Sequence, residues 1–169
     1  MKSVRQLGED NLITRICRDL PKAAHVLAGP GDDCAVVGTG EELVLLKTDA
    51  VVAGVHFLSD EKSTRVGWKA VARVLSDFAA MGGEPGELLI TLALAPEVSV
   101  DWVDGLYRGM SSCLKQHGGV IVGGETTSLP QGTPTMISVA GKGRVARANL
   151  VTRSGGRPGD DIYVTGRLG

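Results

Sequence analysis

The stretch Leu43–Phe57, LVLLKTDAVVAGVHF, constrains the fold of this chain more than any other. Leu43 to Leu46 is a short apolar run, the pattern of a strand covered on both faces. It passes directly into Lys47-Thr48-Asp49, a second β-branched run (Val51, Val52, Val55) broken by Gly54, and then His56-Phe57. A strand end holds its side chains rigidly at the rim of a crevice. Asp49 is therefore a candidate metal ligand, with Thr48 beside it and His56 one short segment away. The same letters also suit a turn begun by Thr-Asp and a satisfied, partly buried histidine.

The flanking pattern predicts helices alternating with further strands. Leu12, Ile13, Ile16 and Leu20 fall on one stripe of a short helix over Asn11–Leu20, closed by Pro21. Ser63 to Met81 carries the strongest helical signal, with Ser63 as N-cap, Gly82-Gly83 as its stop, and Val66, Ala70, Val74, Phe78 and Met81 as its buried face. Ser99 caps a second long helix with Val103, Leu106, Tyr107, Met110 and Leu114 at apolar positions. Strands are predicted at Cys34–Val37, Leu88–Leu94, Val120–Val122, Thr135–Gly141 and Ile162–Thr165. The fold class is thus α/β, an α+β layer with a mixed sheet and helices on one face. The sheet strands are apolar on more positions than one helix layer covers, and Val51, Val52 and Val55 predict an exposed patch or a free edge, closed in a homodimer.

Composition narrows the function. With a formal net charge of −1 and no Lys/Arg run, no nucleic-acid footprint is expected. No apolar run approaches the roughly 18 residues of a membrane span, so no membrane partner is expected. Charges throughout Lys2–Asp10 and the lack of a signal-peptide apolar region read as cytoplasmic. The three cysteines, Cys17, Cys34 and Cys113, show no CxxC spacing and read as reduced. Much of the glycine lies beside the polar motifs, which suits close approach of backbone to a ligand.

No GxxxxGK[ST], HExxH or G-x-S-x-G motif occurs. Gly141-Lys142-Gly143-Arg144-Val145-Ala146 fits G-x-G-x-x-A in letters only, because no helical pattern follows it. What remains is a set of acids at element ends or on buried faces: Asp32 and Asp33 in a Gly-Asp-Asp loop, Asp49, Asp77 and Glu125. Asp77 falls on the buried face of its helix, about 20° from Ala70, where a carboxylate needs a partner. A salt bridge or a bound metal would each supply one. Oxygen-only ligands suit magnesium with bound phosphates, and several acids gathered together need cations between them.

Five pieces then occur in order: Gly31-Asp32-Asp33-Cys34-Ala35; Thr48-Asp49 with Gly54-Val55-His56-Phe57; Leu75-Ser76-Asp77-Phe78-Ala79-Ala80-Met81-Gly82; Gly123-Gly124-Glu125-Thr126-Thr127; and Thr152-Arg153-Ser154-Gly155. Together they resemble the N-terminal half of the thiamine-monophosphate kinases, relatives of aminoimidazole ribonucleotide synthetase, selenophosphate synthetase and a hydrogenase maturation factor. The resemblance implies a single N-terminal ATP/Mg-binding domain over residues 1–169, without the family's C-terminal domain. It implies the synthetase-type fold, with sheets joined across a dimer.

The implied activity is ATP-dependent phosphorylation of thiamine monophosphate to thiamine diphosphate. By motif position Asp33, Thr48, Asp49, Asp77 and Glu125 would hold Mg²⁺, with Asp49 and Asp77 central to catalysis. Tyr107, Gly124, Glu125 and Arg153 would contact ATP, and His56 the thiamine phosphate. Two departures stand out: Lys47 where the family often has Ser, and Glu125 where it usually has Asp. The alternatives are another ATP-dependent member of the superfamily, or a non-catalytic nucleotide-binding dimerisation module.

Overall fold

A computed structural model of the chain describes residues 2–164 with Gly166 and Arg167. In chain order the elements are α1 (Val4–Leu7), α2 (Glu9–Cys17), β1 (Val26–Ala28), β2 (Ala35–Val37), β3 (Glu42–Val52), α3 (Ser63–Ala80), β4 (Glu84–Leu94), α4 (Val100–His117), β5 (Val120–Ser128) and β6 (Met136–Ala146), followed by a 3-10 turn at Arg147–Asn149. The strands form one sheet in the order β1-β2-β3-β6-β4-β5. All neighbours are antiparallel except β4 and β5, which are parallel and joined through α4. That crossover is the usual way to connect parallel strands.

β3 does not stop at Leu46, as the sequence pattern suggested. It pairs with β6 from Glu42↔Ala146 to Val52↔Met136, so Lys47, Thr48 and Asp49 lie in mid-strand opposite Gly141, Ala140 and Val139. Likewise β5 continues past Val122 through Gly123–Thr127 to Ser128, because β4 supplies a partner at each step from Leu89↔Gly123 to Leu94↔Ser128. In both places polar residues read as a strand end are held inside a ladder. Their side chains therefore alternate between faces.

The core lies between one sheet face and the α3–α4 layer. Leu43, Leu45, Val51, Leu88, Ile90, Ile137, Val139 and Val145 meet Val66, Ala70, Val74, Phe78, Leu106 and Met110, all buried. Phe78 is fully buried, and β6 makes room for it: a Cβ on Gly143 would stand 2.9 Å from its ring. The glycines of the spurious dinucleotide motif are thus packing residues. α3 and α4 touch backbone to backbone, since a Cβ on Gly67 would lie 1.9 Å from the Leu106 carbonyl oxygen and one on Gly109 1.9 Å from that of Thr64. This contact sets Arg108–Ser112 beside Thr64–Lys69.

Other differences are local. α3 begins at Ser63 with Lys62 in the cap position and no side-chain cap, because the Ser63 hydroxyl is turned to α4, over Gly105. α2 ends at Cys17, and its stripe is unpartnered, with Ile13 and Ile16 exposed. β1 was not read from the sequence. Residues Ile162–Val164 form no strand and are exposed, while Thr165 of that predicted strand lies outside the described residues. Val51 is buried in the core, so it does not belong to an exposed patch, whereas Val55 is exposed in the loop after β3. No described helix is long and apolar enough to cross a membrane.

Candidate active site

Strand parity divides the predicted site residues between two faces. Leu43, Leu45 and Val51 fix the odd-numbered face of β3 against α3, and Lys47 and Asp49 share it. Thr48 points the other way, its hydroxyl 3.4 Å from that of Ser138. α3 answers with residues four apart, Lys69, Arg73 and Asp77, on the side facing β3. The Lys47 Nζ lies 2.6 Å from Asp77 Oδ2 and 3.9 Å from Asp49 Oδ1, and Arg73 Nη2 is 3.6 Å from the same Asp49 oxygen. Burial pulls the Lys47 ammonium down, but its hydrogen bond to Asp77 and the charges of Asp49 and Asp77 outweigh that and raise its pKa.

The two acids of the Gly-Asp-Asp loop do different work. Asp32 is a backbone clamp: Oδ1 accepts the Asp33 N–H at 2.9 Å, and the carboxylate accepts the Arg153 N–H at 3.3–3.4 Å. Asp33 is free to face the cavity, where Arg153 grips it through Nη2 and through Nε at 3.2 Å. Arg153 reaches this loop because the chain after β6 returns alongside Met81, whose carbonyl accepts the Val151 N–H at 3.2 Å. Cys34 follows, buried, with its N–H donating to Met81 Sδ at 3.0 Å. Burial, followed by the Asp77 charge, pushes its thiol up to about 12.

Asp33, Asp49, Asp77 and Arg153 thus line one open cavity of about 620 Å³, together with Lys47, Trp68, Lys69, Arg73 and Ser76. Three carboxylates face four basic side chains (Lys47, Lys69, Arg73, Arg153), a formal balance of +1. The sequence reading had the acids needing metal between them, yet the chain itself supplies their counter-charges. That balance suits a polyphosphate anion. Lys69, Arg73 and Trp68 were missed, although 68, 69, 72, 73, 76 and 77 form one helical stripe that the sequence does carry.

A second cavity of about 600 Å³ adjoins the first and shares Trp68 and Lys69 with it. Its walls are His56, Phe57, Glu61, Arg65, Arg108 and Ser112 with the α3–α4 contact. Lys69 Nζ donates to the His56 carbonyl. The Val52 N–H donates to His56 Nδ1 at 3.1 Å, which leaves Nε2 to carry the ring proton. The cavity combines aromatic walls with cationic donors.

The remaining predicted residues lie apart from these cavities. Glu125 is in register with Thr91, and Thr91 with Ser138, so Glu125 shares the far face of the sheet with Thr48. Gly124 lies so close to β4 that a Cβ would sit 1.8 Å from the Ile90 carbonyl oxygen, leaving bare backbone beside Glu125. Tyr107 is 37% exposed on α4 and lines neither cavity. Among the described residues no three His, Cys, Asp or Glu side chains converge into a cation cage. Paired carboxylate oxygens in an open, polar cavity fit magnesium that keeps water and phosphate ligands, rather than a dedicated protein cage.

The sequence pattern of the AIR synthase related protein family, N-terminal domain, matches residues 31–145. The chain belongs to this family. Among AIR synthase related proteins it is similar to the thiamine-monophosphate kinase of Escherichia coli K12, with 38% identity over 96% of this chain and 49% of the relative. That of Synechococcus elongatus is 33% identical over 99% and 50%. Among solved structures, AaThiL complexed with AMPPCP and TMP matches with a TM-score of 0.82 and 33% identity, over 93% of this chain and 48% of that one. The chain spans about half the length of the curated relatives it matches.

Proposed function

We propose that the chain is the nucleotide-binding half of a thiamine-monophosphate kinase, which transfers the γ-phosphoryl group of ATP to thiamine monophosphate. The observation that carries this reading is the pair of adjoining cavities that share Trp68 and Lys69. One is charged and balanced for polyphosphate; the other is walled by aromatic and cationic groups, as an aromatic cation bearing a phosphate requires. Relatives named as this kinase, and a similar structure that holds AMPPCP and TMP, support it.

In this reading the γ-phosphate lies where the cavities meet. Lys69, Arg73 and Arg153 bind and orient the phosphates, and His56 donates from Nε2 to the substrate phosphate. The attacking group is already a phosphate oxygen, so in-line positioning and charge neutralisation carry the rate. Magnesium, when bound, would neutralise charge on the transferring group, and Asp33, Asp49 and Asp77 would hold it. Thr48, Gly124, Glu125 and Tyr107 lie beyond this pair of cavities. The proposed contacts of Thr48 and Glu125 with metal or ATP therefore call for a second copy packed on the far face of the sheet, where Leu46 and Leu89 are exposed, whereas Tyr107 sits in the helix layer on the other side.

Calorimetry tests the binding half of the proposal. The chain is expected to bind AMPPCP only with Mg²⁺ present, and to bind thiamine monophosphate without nucleotide. Failure of AMPPCP to bind at millimolar concentration with Mg²⁺ would overturn it.

A further inference from the structure

Lys47 enters the acidic cavity from the sheet, between two of its carboxylates. Lys47 and Asp49 are two residues apart on a strand paired along its whole length, so both side chains leave the same face and run toward α3. The ladder fixes the direction of the stem, and the Lys47 side chain is only 22% exposed, with its charge inside the cavity. Nζ contacts Asp77 at 2.6 Å and approaches Asp49 at 3.9 Å. A magnesium ion shared by these carboxylates would stand about 2.1 Å from an oxygen of each. The ammonium enters that space from the Asp77 side.

We propose that Lys47 is a resident cation of this site: it balances the Asp49–Asp77 pair without metal, occupies the position of a divalent ion shared by them, and leaves the chain binding one divalent ion fewer than the same site with a neutral residue at 47. The inference rests on the kinase reading for the identity of the ligand that follows. The charge arrangement is read from this chain alone. A lysine ammonium also offers donors to a phosphate oxygen, so it can meet bound nucleotide in place of the one ion it displaces, beside the magnesium that the carboxylates still hold.

The test compares the full chain with Lys47→Ser and Lys47→Arg, without nucleotide. Bound Mn²⁺ is counted by electron paramagnetic resonance, and melting is followed in EDTA and in Mg²⁺. Lys47→Ser is expected to bind one Mn²⁺ more per chain than the wild type. It should melt several degrees lower in EDTA and recover most of that loss in Mg²⁺, while Lys47→Arg behaves as the wild type. Equal Mn²⁺ counts in wild type and Lys47→Ser, or a Lys47→Ser melt in EDTA that matches the wild type, would overturn the proposal. If Lys47→Ser does not fold, Lys47→Gln keeps the packing of the stem; the same metal-dependent melting is expected, and its absence overturns the proposal. AMPPCP binding on the same samples reports separately on the kinase reading, whose failure leaves the metal count decisive for Lys47.

Discussion

His56 accepts the Val52 N–H on Nδ1 at 3.1 Å, which locks the imidazole to the end of β3 and presents Nε2–H to the neighbouring cavity. ¹⁵N chemical shifts of the ring at neutral pH should report the Nε2–H tautomer. His56→Ala should weaken thiamine monophosphate binding about tenfold, the loss of one hydrogen bond to a charged group. AMPPCP affinity should stay within about twofold. Equal losses for both ligands would place His56 in a structural role.

Asp77 and Asp49 should respond differently to neutralisation. Both Asp77→Asn and Asp49→Asn are expected to weaken Mg-AMPPCP binding at least tenfold, about 1.4 kcal/mol. Asp77→Asn should also destabilise the free chain by about 1–2 kcal/mol, because it breaks the short pair with Lys47. Removing a buried carboxylate that had no partner would stabilise the free chain; with Lys47 at 2.6 Å the sign reverses. Urea melts of the two variants check this.

The cysteines give an alkaline signature. Cys34 and Cys113 are buried and Cys17 is half-buried, so alkylation of the native chain should label Cys17 first. The Cys34 thiol is raised from 9.0 to about 12 in the fold. Below pH 9 both states hold the proton and this stabilising effect is fully present. As pH rises from 9 toward 12 the unfolded thiol ionises first, so stability falls by about 1.4 kcal/mol per pH unit. Cys34→Ala should lack this increment of slope in denaturant melts taken between pH 9 and 11.

The far face of the sheet tests the proposed second copy. Leu46 and Leu89 are 43% and 50% exposed there. If two copies meet on that face, Leu46→Glu should convert a dimer to a monomer in light scattering and weaken nucleotide binding through Thr48 and Glu125. A wild-type chain that scatters as a monomer at high micromolar concentration contradicts the pairing.

The parts legible in the sequence were those with a strong period. Val66, Ala70, Val74, Phe78 and Met81 repeat at helical spacing, and all five are buried. Asp77 was placed on the buried face of that helix by the same arithmetic, and it lies half-buried at the rim of that face. Lys69 and Arg73 share its stripe but read as solvent-facing charges, since nothing local says that β3 will set Asp49 opposite them. Thr48 and Asp49 were grouped because the polar run looked like a strand end. In a continuous ladder neighbours part to opposite faces, and only the partner strand β6, some ninety residues away, reveals the ladder. Arg153 was placed by resemblance alone; its path depends on two hydrogen bonds, from the Val151 N–H to the Met81 carbonyl and from the Arg153 N–H to the Asp32 carboxylate, that leave no local pattern.

Label transfer tests the central claim most directly. The chain, at a concentration above that of its substrates, is incubated with γ-labelled ATP, Mg²⁺ and thiamine monophosphate, and products are separated after single turnovers. Label should appear in thiamine diphosphate, require Mg²⁺, and be lost in Asp49→Asn. The rate is expected to lie below the roughly 10 s⁻¹ of a median enzyme, because these 169 residues span half the length of the relatives. Bound nucleotide and bound thiamine monophosphate with no labelled thiamine diphosphate, or label transfer unchanged in Asp49→Asn, would contradict the account.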